Sequence, residues 1–292
     1  MVHLVQSLVD GLMQGSVLSL AAVGFSLIFG VMGVVNLSHG IMVILGAYIA
    51  LLAKQFLGLD ALVALPFVAV LCFLASYGYD RIIVHPAIRR SNLLSSLLVT
   101  YGAALVIQNV FTLAFSPDFQ SLRPAYANAH FRLGGVVFNS LDLISLAASL
   151  ILIALLSLVL NRLPIGRVIK ATAEQSLAAR LCGVDIDRIY AITFGLAGAF
   201  AGAAGVLIGM LYPFSPASQE QWTIYGFAVV VLGGIGSASG ALFGGLLLGI
   251  ISTLTTQFIG AAYPNAMAFL VLVLMLVIRP NGILGNAFSG SR

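Results

Sequence analysis

Charge is scarce in this chain. Asp, Glu, Lys and Arg supply 8% of its 292 residues, where an ordinary soluble domain carries about a quarter. With 61% hydrophobic residues and a mean hydropathy of +1.11, the chain is too apolar for a soluble core of ordinary size, and no soluble domain is left over. Its only lysines are Lys54 and Lys170, and neither follows a Gly-x4-Gly, which excludes a Walker A phosphate loop. The two cysteines, Cys72 in an apolar run and Cys182 in a polar one, indicate neither a disulfide framework nor a metal cluster. His3, His39, His85 and His130 fall in different segments, against a metal site, and there is no Gly-x-Ser-x-Gly elbow or His-Glu-x-x-His pair. The expectation is a chain that is not an enzyme and holds no cofactor of its own.

Acids are as sparse and as peripheral. Asp10, Asp60, Asp80, Asp142 and Glu220 border apolar runs, and none stands at a predicted centre. Ion-driven carriers commonly keep an acid or base inside the membrane for the coupling ion. Only His39 has such a position, so the chain reads as a pathway powered from elsewhere. The start, Met1-Val-His-Leu-Val5, lacks the basic region of a cleaved signal, and the first run is read as a retained helix.

What is there is long and apolar. Charge-free runs of 43, 19, 27, 19, 31 and 58 residues cover Gly11–Ala53, Ala61–Tyr79, Ser91–Pro117, Leu143–Asn161, Ile189–Gln219 and Gln221–Ile278. A spanning helix needs about 20 apolar residues. The fold class is therefore an all-α polytopic membrane protein of about eight or nine transmembrane helices, with Gly-rich broken or re-entrant segments. The first run would be about 65 Å long as one helix, so it must reverse or break. Gly33 to Gly40, with Asn36, Ser38 and His39 between glycines, is the place. A second break is Gly233-Gly-Ile-Gly-Ser-Ala-Ser-Gly240, and Tyr263-Pro-Asn265 divides the last run again. Paired interrupted segments near opposite ends of a chain point to a transport site at a repeat interface.

Nine crossings from an external N-terminus place ten Lys/Arg inside and Lys54, Arg123 and Arg132 outside. That is the positive-inside bias, and it accounts for the net charge of +4 without nucleic acid. The scheme has one membrane domain, 1–292, with an external segment 116–142 and a cytoplasmic loop 162–188. Gly195, Gly198, Gly202, Gly205 and Gly209 form small-xxx-small pairs and read as a helix-packing surface.

The loop Arg162–Arg188 holds five of the thirteen Lys/Arg and three of the nine Asp/Glu. Thr172 and Gln175 suit a capping box and Gly183 a C′ position, predicting a helix over 173–182. Glu174, Leu177, Ala178 and Leu181 line one side of it. Such a short helix needs something to pack against, and a docking element for a separate subunit is preferred over a plain surface helix. Asn36, Ser38, His39 and Gly40, with Gly233, Gly234, Gly236, Ser237 and Gly240, are the candidate path or gate. The competing reading is that the polar side chains bond backbone groups freed at the breaks and that the glycines allow close packing.

Four motifs then make a set. Asn36-Leu-Ser-His-Gly40 with Leu45-Gly-Ala-Tyr48, Ala171-Thr-Ala-Glu174 through Ala179-Arg-Leu-Cys-Gly-Val184, Gly233-Gly-Ile-Gly-Ser237 with Gly240-Ala241, and Arg279-Pro-Asn-Gly282 occur in that order. Together they resemble the LivH-type permease of bacterial branched-chain amino acid ABC importers, over nearly the whole chain. The resemblance implies a multi-pass subunit of the bacterial inner membrane, paired with a LivM-type permease. Two cytoplasmic ATPases would bind ATP and Mg, and a periplasmic binding protein would deliver branched-chain or related amino acids. By the same resemblance, Thr172, Glu174, Leu177, Ala178, Arg180, Leu181 and Gly183 belong to the ATPase-coupling helix. Family members often show Ala at the place of Ser38 and an acid at that of Ile41, which leaves the substrate open. The alternative from the residues themselves is a stand-alone secondary carrier or channel for a small polar solute such as urea or an amide.

Overall fold

The structure is a computed structural model and describes residues 2–90, 93–133, 135–234, 236–279 and 282–284. Helix α1 (Val2–Met32) is followed by α2 (His39–Leu57), α3 (Ala61–Tyr79), a π-turn (Asp80–Val84), α4 (His85–Arg90) and α5 (Leu93–Phe115). After a hairpin of β1 (His130–Leu133) and β2 (Val136–Asn139) come α6 (Ser140–Arg162), α7 (Pro164–Glu174), α8 (Ser176–Leu181) and α9 (Ile186–Leu211). Helices α10 (Gln219–Gly233), α11 (Ala238–Phe258) and α12 (Pro264–Ile278) complete the described fold.

Seven segments among the described residues are long and apolar enough to cross a membrane: α1, α2, α3 with its continuation to Ala87, Ser95–Phe115, α6, α9 and α11. The other two crossings of the sequence scheme fall on α10 and α12, each of 15 residues, or about 22 Å of helix. Helices α1 and α9 form the centre: 83% of the most apolar window of each is buried, against 11% for the window in α5 and 22% in α6. The outer helices turn Leu98, Leu113, Ile151 and Val277 outward, Leu113 being 88% exposed. Helices that bond their own backbone and present leucine and valine outward suit a hydrocarbon surrounding.

The glycine stripe on α9 works as a packing surface. A Cβ at Gly198 would stand 1.8 Å from Ser76 Oγ, one at Gly202 2.3 Å from Cys72 Sγ, and one at Gly205 1.8 Å from the Val43 carbonyl oxygen. These positions let α3 and α2 lie against α9 almost backbone to backbone.

The segment before α6, an external loop in the sequence scheme, carries a hairpin that is tied to α1. Strands β1 and β2 pair antiparallel with His130 opposite Asn139, and Phe131 stacks on Phe138 at 5.2 Å. The Gln6 amide clips β2 to α1, its Nε2 donating to Val137 O and its Oε1 accepting from Val137 N, both at 2.8 Å. Asp60 caps α3 by accepting from Leu62 N at 2.9 Å and also accepts from the Tyr126 hydroxyl at 3.0 Å. Burial, and then the neighbouring Asp60 carboxylate, push the Tyr126 hydroxyl up to about 12, so it stays a donor at physiological pH.

Candidate translocation and coupling sites

Helix α1 ends at Gly33, whose φ of 66° suits a left-handed C′ glycine; its N–H donates to Phe29 O at 2.9 Å. The next residues form an Asx turn. Asn36 Oδ1 accepts from Ser38 N at 3.1 Å and Ser38 Oγ at 2.5 Å, so Ser38 does not cap α2 with its side chain. Leu37 N donates to Thr100 Oγ1 on α5 and Gly40 N to Thr223 Oγ1 on α10. A Cβ at Gly40 would stand 2.0 Å from Gln219 O, so the first turns of α2 and α10 meet there. His39 Nε2 donates to Ala21 O at 2.7 Å, and its ring meets Phe25 edge-on at 5.2 Å. Of the backbone N–H groups freed at the break, Ser38 N thus bonds Asn36, while Leu37 N and Gly40 N bond threonines of other helices. Yet Asn36 Nδ2 and His39 Nδ1 are buried with no hydrogen bond, two unspent polar atoms in the interior.

The second break is built differently. Gly234 and Gly236 have φ of 113° and 81°, and Ser237 Oγ caps α11 by accepting from Gly240 N at 3.0 Å. Gly233 and Gly240 touch, a Cβ on Gly233 falling 1.8 Å from Gly240 O. The C-terminal strip pins the turn through Ile283 N to Leu232 O and Leu284 N to Gly233 O. Helix α1 joins the two breaks, because Ala21 and Phe25 hold His39 while Ser26 Oγ donates to Ser237 O at 3.3 Å. All nine candidate path residues, Asn36, Ser38, His39, Gly40, Gly233, Gly234, Gly236, Ser237 and Gly240, are buried within the single chain.

The predicted helix over 173–182 does not form as one piece. Helix α7 starts with Pro164 at its first turn and runs to Glu174; Gln175, with φ of −155°, breaks the path before α8. Thr172 is not an N-cap but a buried residue of the last turn of α7, its Oγ1 without a partner. The reason is the apolar spacing: Gly166, Ile169 and Thr172 form the face of α7 that packs inward. A Cβ on Gly166 would lie 2.5 Å from Leu160 Cα, so tertiary packing overrides the local capping signal. The other end holds, since Gly183 has φ of 85° and Val184 N donates to Ala179 O. Glu174, Leu177, Ala178, Arg180, Leu181 and Gly183 are all exposed, Leu177 at 68% and Leu181 at 81%. The stripe is therefore divided, Glu174 on α7 and the two leucines on α8.

Two features near the loop have no counterpart in the sequence pattern. Asp187 Oδ1 lies 3.5 Å from His85 Nε2 and 3.9 Å from an Arg180 nitrogen, linking α4, α8 and α9. The second corrects an expectation: Asp80 does not border a span but is fully buried, with neither carboxylate oxygen hydrogen-bonded. Helix α3 fails to stop at the acid because the chain continues through the π-turn, His85 N–H donating to Asp80 O. A charge that ends an apolar run gives no warning of this. Removing the ionisable group is expected to help folding: Asp80→Asn should raise the melting temperature in detergent at pH 8 by roughly 2–4 °C. A fall of the same size would mean that the carboxylate has a partner in the folded protein.

A bundle of long apolar helices, two of them joined to their neighbours through glycine-rich breaks that meet on a central helix, is the architecture of a polytopic α-helical membrane protein. Residues 7–278 match the family described as the permease component of the branched-chain amino acid transport system, and the chain belongs to that family. It is 33% identical over 298 residues to the high-affinity branched-chain amino acid transport system permease protein BraD of Pseudomonas aeruginosa, covering 97% of this chain and 96% of that one. To LivH of Escherichia coli it is 30% identical with the same coverage. To LivM of Escherichia coli it is 28% identical over 89% of this chain and 66% of the other. The solved structure of PsaBC from Streptococcus pneumoniae in complex with Fab shares the fold, with a TM-score of 0.50 over 93% of this chain and 91% of that one, at 14% identity.

Proposed function

We propose that this chain is the transmembrane permease subunit of an ABC importer of the bacterial inner membrane, translocating branched-chain or related amino acids. In this reading its partners are a LivM-type permease, two cytoplasmic ATPases that bind ATP and Mg, and a periplasmic binding protein. The chain is one membrane unit, residues 1–292, and is not itself an enzyme. The observation that carries the reading is family membership over residues 7–278. The exposed leucines of α8, in the most charged loop of the sequence, support energy input through that loop. Unpartnered Asn36 Nδ2 and His39 Nδ1 support a path beside the first break, with Gly233 to Gly240 as its second boundary.

The test is uptake of labelled L-leucine into proteoliposomes holding the assembled complex and its binding protein. Accumulation should require internal ATP and stop with vanadate. Gradient-driven uptake by this chain without ATPases would instead return the reading to a secondary carrier.

A further inference from the structure

Glu220 is the one charged residue between Arg188 and Arg279. It stands in the first turn of α10 and lines a cavity of about 350 Å³, within the roughly 300–1,000 Å³ of small-molecule sites. Phe119, Ile224 and Phe269 give the cavity apolar walls, and Gln221 and Asn265 add amides. Tyr225, only 6% exposed, donates its hydroxyl to Asn265 Oδ1 at 2.5 Å. That bond ties α10 to the start of α12 and leaves Asn265 Nδ2 to donate elsewhere. An acid in the first turn of a helix is favoured by the helix dipole alone. The dipole does not account for a cavity that faces this acid with aromatic walls and amide donors.

We propose that this cavity is a subsite for the amino acid in transit. Glu220 pairs with the α-ammonium, the Asn265 and Gln221 amides donate to the α-carboxylate, and Phe119, Ile224 and Phe269 hold an aliphatic side chain. A zwitterion with an apolar side chain matches one acid, two amides and three apolar walls. The assignment rests on the proposed amino acid cargo but makes a separate claim, that the ammonium group is read by Glu220.

The chain carries a single tryptophan, Trp222, whose ring meets Tyr225 edge-on at 5.8 Å, so its fluorescence reports on the cavity. The full chain in lipid nanodiscs is titrated with L-leucine, with isopentylamine, which keeps the ammonium, and with 4-methylpentanoate, which keeps the carboxylate. L-leucine and the amine should change the emission and 4-methylpentanoate should not. Glu220→Gln should weaken both responses tenfold or more, while Glu220→Asp keeps part of them. Because Glu220 is exposed, both variants should melt like the wild type. The subsite is overturned if Glu220→Gln titrates unchanged, if all three compounds act alike, or if none acts although the assembled transporter takes up leucine. If the transporter takes up no amino acid while the amine still binds through Glu220, the cargo reading fails and the ammonium site stands.

Discussion

Gly205→Ala is expected to cost the protein about 3 kcal/mol or more and to lower its melting temperature in detergent by roughly 6–12 °C. The added Cβ would stand 1.8 Å from the Val43 carbonyl oxygen and 3.2 Å from Ala47 N. Both are backbone atoms, so no side chain can swing aside and α2 must move away from α9. That movement would disturb the crossing where Gly46 meets Gly202, a Cβ on Gly46 falling 2.1 Å from Gly202 O. It would also shift α2 and the His39 and Gly40 contacts at its start. The control is Gly102→Ala on α5, where nothing beyond the local helix backbone lies within 4 Å of the new Cβ. Alanine outranks glycine in a helix by about 1 kcal/mol, so this variant should melt at or slightly above the wild-type temperature. Equal melting of Gly205→Ala and the wild type would show that the two helices do not pack as described.

The second large effect concerns α8. Ala178→Arg combined with Leu181→Glu should abolish co-purification of the ATPases and reduce ATP-driven uptake by a hundredfold or more. Leu181 is 81% exposed and Leu177 68%. Burying one such side chain in a partner's groove contributes about 1.5–3 kcal/mol, and a buried, unpaired glutamate costs more still. Ala179, the buried residue of α8, is untouched, and the two replaced side chains face outward. The isolated double variant should therefore keep the wild-type melting temperature, which separates lost docking from lost folding. If it recruits ATPases as the wild type does, α8 is not the docking element.

How much was legible beforehand follows from the kind of signal each feature leaves. The glycines of α9 announce their role because close helix approach demands the absence of a Cβ, and spacing alone reveals a stripe. The end of α8 was legible for a similar reason: a left-handed residue after a helix is nearly always glycine, and Gly183 supplies it. The start was not. Thr172 carries a valid capping pattern, but the pattern is short-range, and inward packing of Gly166 and Ile169 outweighs it. The hairpin 130–139 leaves no clear signal, because two four-residue strands inside a proline- and glycine-bearing segment offer little periodicity.

The path residues show the same division. Asn36, Ser38 and His39 stood out because polar side chains inside a long apolar run are costly. That Asn36 closes an Asx turn, and that His39 reaches back to Ala21, depends on partners 2 and 18 positions away in sequence. Asp80 is the instructive failure. Charge at the end of an apolar run reads as a membrane border, yet continuation through a π-turn carries the acid into the interior.

By itself the sequence determined that the chain lives among lipid tails, where its long apolar helices lie, where the two glycine-rich breaks fall, and where the charged loop lies. These follow from composition and spacing, which any apolar surrounding reads in the same way. Tertiary structure alone decided which polar atoms are satisfied, that the charged loop holds two helices rather than one, that Asp80 is buried, and that Glu220 faces a cavity. Each of those depends on distances between residues far apart in the chain, and packing fixes such distances only after the helices have found one another.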